Sequence, residues 1–156
     1  MKKTIFDPES KADILQRLEK LSPDSQPRWG ILKSNQMLRH LIESNKITLG
    51  ELETEDRSNL FTKTLIRYFI LSSKVPSIKQ VQKRPIQTVP EINVVERQIV
   101  TADFETEREN YKKDIERIIS ARNFAAKSPI MGKMSREDWG KLTYSHANYH
   151  LTQFGV

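Results

Sequence analysis

Cysteine is absent from this chain of 156 residues, which rules out disulfides, thiolate metal sites and a cysteine nucleophile together. Any thiol chemistry has to bring its thiol with a second substrate. Glycine is scarce, at five residues, too few for the many tight turns of an all-β protein. No apolar run approaches the roughly 20 residues needed to cross a bilayer. Behind Met1, Lys2 and Lys3 there is no apolar stretch of the kind a signal peptide carries. A cytoplasmic protein with no membrane partner is therefore expected. Histidine is nearly missing too: His40, His146 and His150 are the only three.

What is present reads as one folded domain over residues 1–156, with 37% hydrophobic and 29% charged residues. The 26 basic and 20 acidic side chains leave a net charge of +6, which can attract an anionic small molecule. The densest basic stretch holds only Lys74, Lys79, Lys83 and Arg84, with no interleaved aromatics. Nucleic acid is not an expected partner on that pattern.

Periodicity predicts helices. Asp7 as N-cap and Pro8 at the first helical position open one that runs to about Leu21, with Ile14, Leu15, Leu18 and Leu21 on its apolar face. Residues 22–27, with two prolines, form a loop. A second helix starts at Ser34 as N-cap and reaches Leu49 and Gly50. Leu38, Leu41, Ile42, Asn45 and Leu49 form its buried stripe, and His40 shares the next stripe with Met37, Ser44 and Ile47. Ser58 to about Lys74 is an inserted helix with a broad apolar face of Leu60, Phe61, Leu65, Tyr68, Phe69 and Ile70. That face is wider than one contact needs, so a homodimer is a candidate. Pro76, Pro85 and Pro90 then break a long connection, with Ile92 to Val95 expected to be extended or a short strand. Such a connection suits a lid or a partner surface. A third long helix spans roughly Asp103 to Asn123, residues 128–134 form a loop, and Ser135 caps a last helix that ends at Gly155. The sum is an all-α fold: a bundle of four principal helices, one inserted helix and a long proline-containing connection.

The chemistry sits in the histidines. His146 and His150 are four residues apart, so on a helix both imidazoles face the same way, about 6 Å apart along the axis. His40 on another helix would complete three nitrogen ligands and leave positions open for water or substrate. Such a set suits zinc, nickel, copper or iron. Glu43, one turn from His40, is a candidate catalytic base or a partner for a ligating histidine. Tyr149, Asn45 and Gln153 are candidates for orienting a substrate. A histidine by itself is more often a structural residue. The rival readings are therefore a metal- or small-ligand-binding module without turnover, and a purely structural protein.

Two segments carry a family resemblance. One is Trp29-Gly30, then Ser34, Gln36-Met37-Leu38 and His40-Leu41. The other is Pro129, Gly132, Glu137, Trp139-Gly140, His146, His150-Leu151 and Gln153-Phe154-Gly155-Val156. In these the chain resembles the DinB/YfiT-like superfamily, in a bacterial branch known as a domain of unknown function. The resemblance implies a four-helix bundle with a divalent ion, nickel or zinc first and iron or manganese after them, held by His40, His146 and His150. It also implies a thiol transferase or hydrolase-like activity on a small electrophilic substrate, with a low-molecular-weight thiol as a partner. Many relatives in this branch carry histidines where this chain has Ser128 and Tyr149, so an auxiliary proton-transfer role at those two positions is not expected here.

Overall fold

Helix dominates the computed structural model, which describes residues 3–72, 74–76, 80 and 88–156. Helix α1 (Pro8–Lys20) begins where proline costs nothing, since the first amide of a helix has no intrahelical acceptor. The Asp7 carboxylate accepts from the Thr4 amide and folds the preceding turn onto the helix. Helix α2 (Ser34–Thr48) differs from expectation at its start. Lys33 is the N-cap, because the Gln36 side chain reaches back to the Lys33 amide, 3.0 Å. Ser34 is the first helical residue, and its hydroxyl donates to the Pro23 carbonyl instead.

Helix α3 (Arg67–Ile70) continues a π-helical turn, Thr62–Ile66. The inserted helix is thus present but short, and its apolar face is not core: Leu60 is 81% exposed and Phe61 57%. Val94 and Ile92 are buried as expected for an inward segment, yet no strand forms there. Pro90–Ile92 is a 3-10 turn, followed by further turns. Proline at the start fixes one dihedral and favours the turn over an extended run. The middle of the proline connection, Pro85 included, lies outside the described residues.

Helix α4 (Phe104–Ser120) is capped by Asp103, which accepts from the Thr106 amide and hydroxyl. The expected loop at 128–134 carries a small antiparallel pair, β1 (Lys127–Ser128) and β2 (Gly132–Lys133). Ser128 accepts from the amides of Ile130 and Met131 and so holds the turn. Helix α5 (Arg136–Gln153) opens with reciprocal bonds between Ser135 and Asp138, which satisfy two amides otherwise left open.

Four long helices share the main core. Ile14 and Leu18 of α1, Met37, Leu38 and Leu41 of α2, Tyr111, Ile115 and Ile118 of α4, and Tyr144, Ala147 and Leu151 of α5 form one buried cluster. Helix α2 lies against both α4 and α5, and α1 lies along α5. Between α2 and α4 the contact is also ionic: Arg39 reaches the fully buried Glu107, and Asn45 donates to Asp114, 2.7 Å. Asn45 is therefore a strut between helices rather than a group facing a substrate.

A second cluster covers one flank of α2 and α5. Ile47, Leu71, Ile92, Met131, Met134 and Trp139 are its buried members, and Phe124 joins it to the main core. Arg67 holds α3 down by pairing with Asp138, 2.7 Å, and by donating to the carbonyls of Met131 and Lys133. Gly140 marks a close approach of the N-terminal segment, since a Cβ there would lie 2.3 Å from Phe6 and Thr4 atoms. No helix among the described residues is long and apolar enough to cross a membrane.

Candidate metal centre

The face of α5 that carries Trp139 and Thr143 also carries His146 and His150, at spacings that keep all four on one side of the helix. On α2, His40, Ser44 and Ile47 repeat the same logic. Where the two faces meet, the three imidazoles converge, with each pair of ring centroids 4.9 Å apart. Nε2 of His40 lies 3.0 Å from Nε2 of His146, which lies 3.2 Å from Nε2 of His150. The nitrogens of a tetrahedral ion with bonds of 2.0–2.1 Å stand about 3.3 Å apart, so both distances from His146 are within a few tenths of an ångström of that spacing, and all three ligand atoms lie within 4.8 Å of one another. No other group of three or more histidines, aspartates or glutamates among the described residues is arranged to hold a metal ion.

The outer nitrogens decide the tautomers. Nδ1 of His40 lies 3.0 Å from the Ile92 carbonyl, which can only accept, so Nδ1 carries the proton. Nδ1 of His150 lies 2.8 Å from Oε1 of Gln153. The Gln153 amide is oriented by its other end, because its Nε2 donates to the Trp29 carbonyl. His150 is thus protonated on Nδ1 as well. Nδ1 of His146 meets the Ser44 hydroxyl at 3.2 Å. Two Nε2 lone pairs, and a third nitrogen beside them, therefore point at one spot, an arrangement that a cation satisfies and that a single shared proton cannot. This is the outer hydrogen bonding that orients metal-ligating histidines.

Burial keeps the rings neutral, as ligation requires. It draws His40 below its ordinary value of 6.5, and it draws His150 down to about 3 with His40 adding to the effect. Burial together with both neighbouring imidazoles pulls His146 well below that value. His40 and His150 are buried, and His146 is partly exposed as a residue.

The other expected residues are placed differently. Glu43 is buried, but its carboxylate is taken by Lys46 at 2.8 Å and Arg39 at 3.5 Å, and the histidine Nδ1 atoms find other partners. It balances cations of α2 rather than orienting a ligand. The Tyr149 hydroxyl accepts from the Trp29 indole, 3.0 Å, while its ring packs edge-on against His150, 5.1 Å. Tyr149 and Gln153 brace His150 through the Trp29-Gly30 corner. Gly30 is required there: its φ is +85°, and a Cβ would lie 2.5 Å from Gln153 Nε2.

Sequence reasoning missed three parts. Ser44, one turn after His40, was visible on the histidine stripe and could have been assigned its partner. The Ile92 carbonyl comes from a turn with no pattern and had no signal. Thr143 lies one turn before His146 on the same face, and its buried hydroxyl has no partner among the described residues.

Replacing Gln153 by leucine keeps the volume and removes the acceptor for His150. Metal affinity is expected to fall about ten- to a hundredfold, measured by competition with a chromophoric chelator. Unchanged affinity would mean that the Gln153 bond does not orient the ligand. Comparison with protein-family models, with curated proteins and with solved structures yields no match to this chain.

Proposed function

We propose that this protein is a metal-dependent enzyme built as a DinB/YfiT-like four-helix bundle. In this reading His40, His146 and His150 hold a divalent transition metal, nickel or zinc first, and the centre activates a thiol or water against a small electrophilic substrate. The observation that carries it is the convergence of three Nε2 atoms whose rings are oriented from outside. A divalent ion there supplies Lewis acidity and lowers the pKa of a bound water or thiol. The chain's own part is to keep three neutral donors in place and to exclude water on the α2 side by burial. With no cysteine in the chain, a transferred thiol has to be a cosubstrate.

A second reading, a metal-binding module without turnover, rests on Glu43. Its carboxylate is committed to Lys46 and Arg39, and no carboxylate pairs with a histidine among the described residues. Activity separates the two. Zinc- or nickel-loaded protein is expected to consume a model electrophile, such as a chloronitrobenzene or an activated ester, faster with a low-molecular-weight thiol or water than the metal-free protein does. No acceleration across a panel of thiols and esters leaves the binding module as the better account.

A further inference from the structure

All 20 acidic residues of this chain lie among the described residues, so no negative side chain escapes placement relative to the three histidines. None of them joins the cluster of His40, His146 and His150, and none forms an ion pair with a ring of it. The acids that come near in sequence are neutralised elsewhere. Glu43, in the helical turn after His40, holds Lys46 at 2.8 Å and Arg39 at 3.5 Å. Glu91 stands next to Ile92, whose carbonyl meets His40, and holds Arg57 at 2.9 Å. At the start of α5, Glu137 and Asp138 pair with Lys141 and Arg67, more than two turns before His146.

What touches the rings is neutral. The outer nitrogens meet the Ile92 carbonyl, the Ser44 hydroxyl and the Gln153 amide, and the Tyr149 ring packs on His150. In many metal sites a ligating histidine leans on a carboxylate, which lends negative charge to the centre. Here that charge is missing. A divalent ion among three neutral donors keeps both of its charges in a buried place, where an uncompensated charge is strongly unfavourable. Gln153 and Ser44 set this condition, because they stand 2.8 and 3.2 Å from outer nitrogens where an acid would supply the charge.

We propose that the centre takes a small anion beside its divalent ion: a ligand with one negative charge on its donor atom, of the kind a thiolate or a carboxylate group supplies. The inference rests on metal binding by the three histidines and holds with or without turnover. It narrows the substrate or cosubstrate of the proposed reaction to a molecule that presents such a group. A neutral ligand of equal size leaves the charge as it was and binds weakly.

The test uses the full chain loaded with cobalt(II), whose visible absorption bands report both the ion and what joins it. Wild type is titrated with azide, and with acetate and acetamide, which match in size and differ in charge. Azide and acetate should shift the bands, with acetate at least about tenfold tighter than acetamide. Gln153→Glu and Ser44→Asp each place a carboxylate against an outer nitrogen. Each should weaken azide and acetate about tenfold while cobalt stays bound, and circular dichroism checks that each variant is folded. A sulfur-to-cobalt absorption band on adding 2-mercaptoethanol names a thiolate as the source of the anion, and a response to acetate without that band names a carboxylate. Bands that acetate and acetamide shift at the same concentration overturn the proposal, as do anion affinities that the folded acid variants leave intact. Wild type that acquires no cobalt bands at all refutes the metal centre itself, and the anion with it.

Discussion

Replacing His146 with alanine is expected to remove the metal: protein prepared without a histidine tag should fall from about one equivalent of zinc or nickel per chain to a small fraction of that. His146 is the shared neighbour, with its Nε2 3.0 Å from that of His40 and 3.2 Å from that of His150. Without it the remaining two nitrogens cannot enclose an ion, and affinity should drop by more than the roughly ten- to hundredfold typical of an outer partner. Elemental analysis and chelator competition measure both. If wild type and the His40, His146 and His150 triple alanine variant bind zinc equally, the centre is not a metal site.

The same three rings set a pH dependence in the metal-free protein. Their pKa values are lowered in the folded state, so the unfolded chain binds protons first as pH falls. Their contribution is fully present above the ordinary value of 6.5 and is lost as pH drops below it. With His150 held at about 3, the fall from pH 6.5 to 5 costs about 2 kcal/mol for that ring by itself. Bound zinc should move this loss to lower pH, because the ion competes with protons for the same lone pairs. Urea unfolding at pH 7.5 and pH 5, with and without zinc, reads out both effects, and stability that rises on acidification would contradict the neutral-ring account.

Trp139→Ala should be the most damaging single substitution outside the centre. The side chain is 1% exposed, packs with Ile47, Met131 and Met134, and donates its indole N–H to the Ala125 carbonyl at 2.7 Å. Deleting a buried aromatic costs about 3–5 kcal/mol, and the stranded carbonyl adds about 1 kcal/mol. Against a total stability of roughly 5–15 kcal/mol, that is a large share. The urea midpoint should fall with little change in slope. A loss under about 1 kcal/mol would mean that the second cluster is dispensable. Because this cluster carries Ile92, whose carbonyl orients His40, metal affinity should weaken in the same variant.

Much of the scaffold was legible in one dimension. Asp7 with Pro8, Asp103 and Ser135 mark helix starts by local chemistry, which acts within four residues and survives any tertiary context. Ser34 misled because its hydroxyl is turned to the Pro23 carbonyl, a contact with a distant loop, and the residue before it takes the N-cap position. The 60–70 stripe was legible only in part. Its spacing correctly gives a helix, but spacing cannot say whether a face meets core or solvent, and here the opposite side is the anchored one. Glu43 lies one turn from His40 in sequence, yet nearby lysine and arginine on α2 claimed its charge.

The chain by itself determined the helical scaffold, the absence of any cysteine thiolate of its own and the identity of three candidate nitrogen donors, because residue type and short-range periodicity suffice for those. Tertiary packing decided whether the donors meet and which nitrogen of each ring faces inward. Those depend on contacts between segments far apart in sequence, such as the Ile92 carbonyl on His40 and Trp29 on Gln153, and no local pattern encodes them.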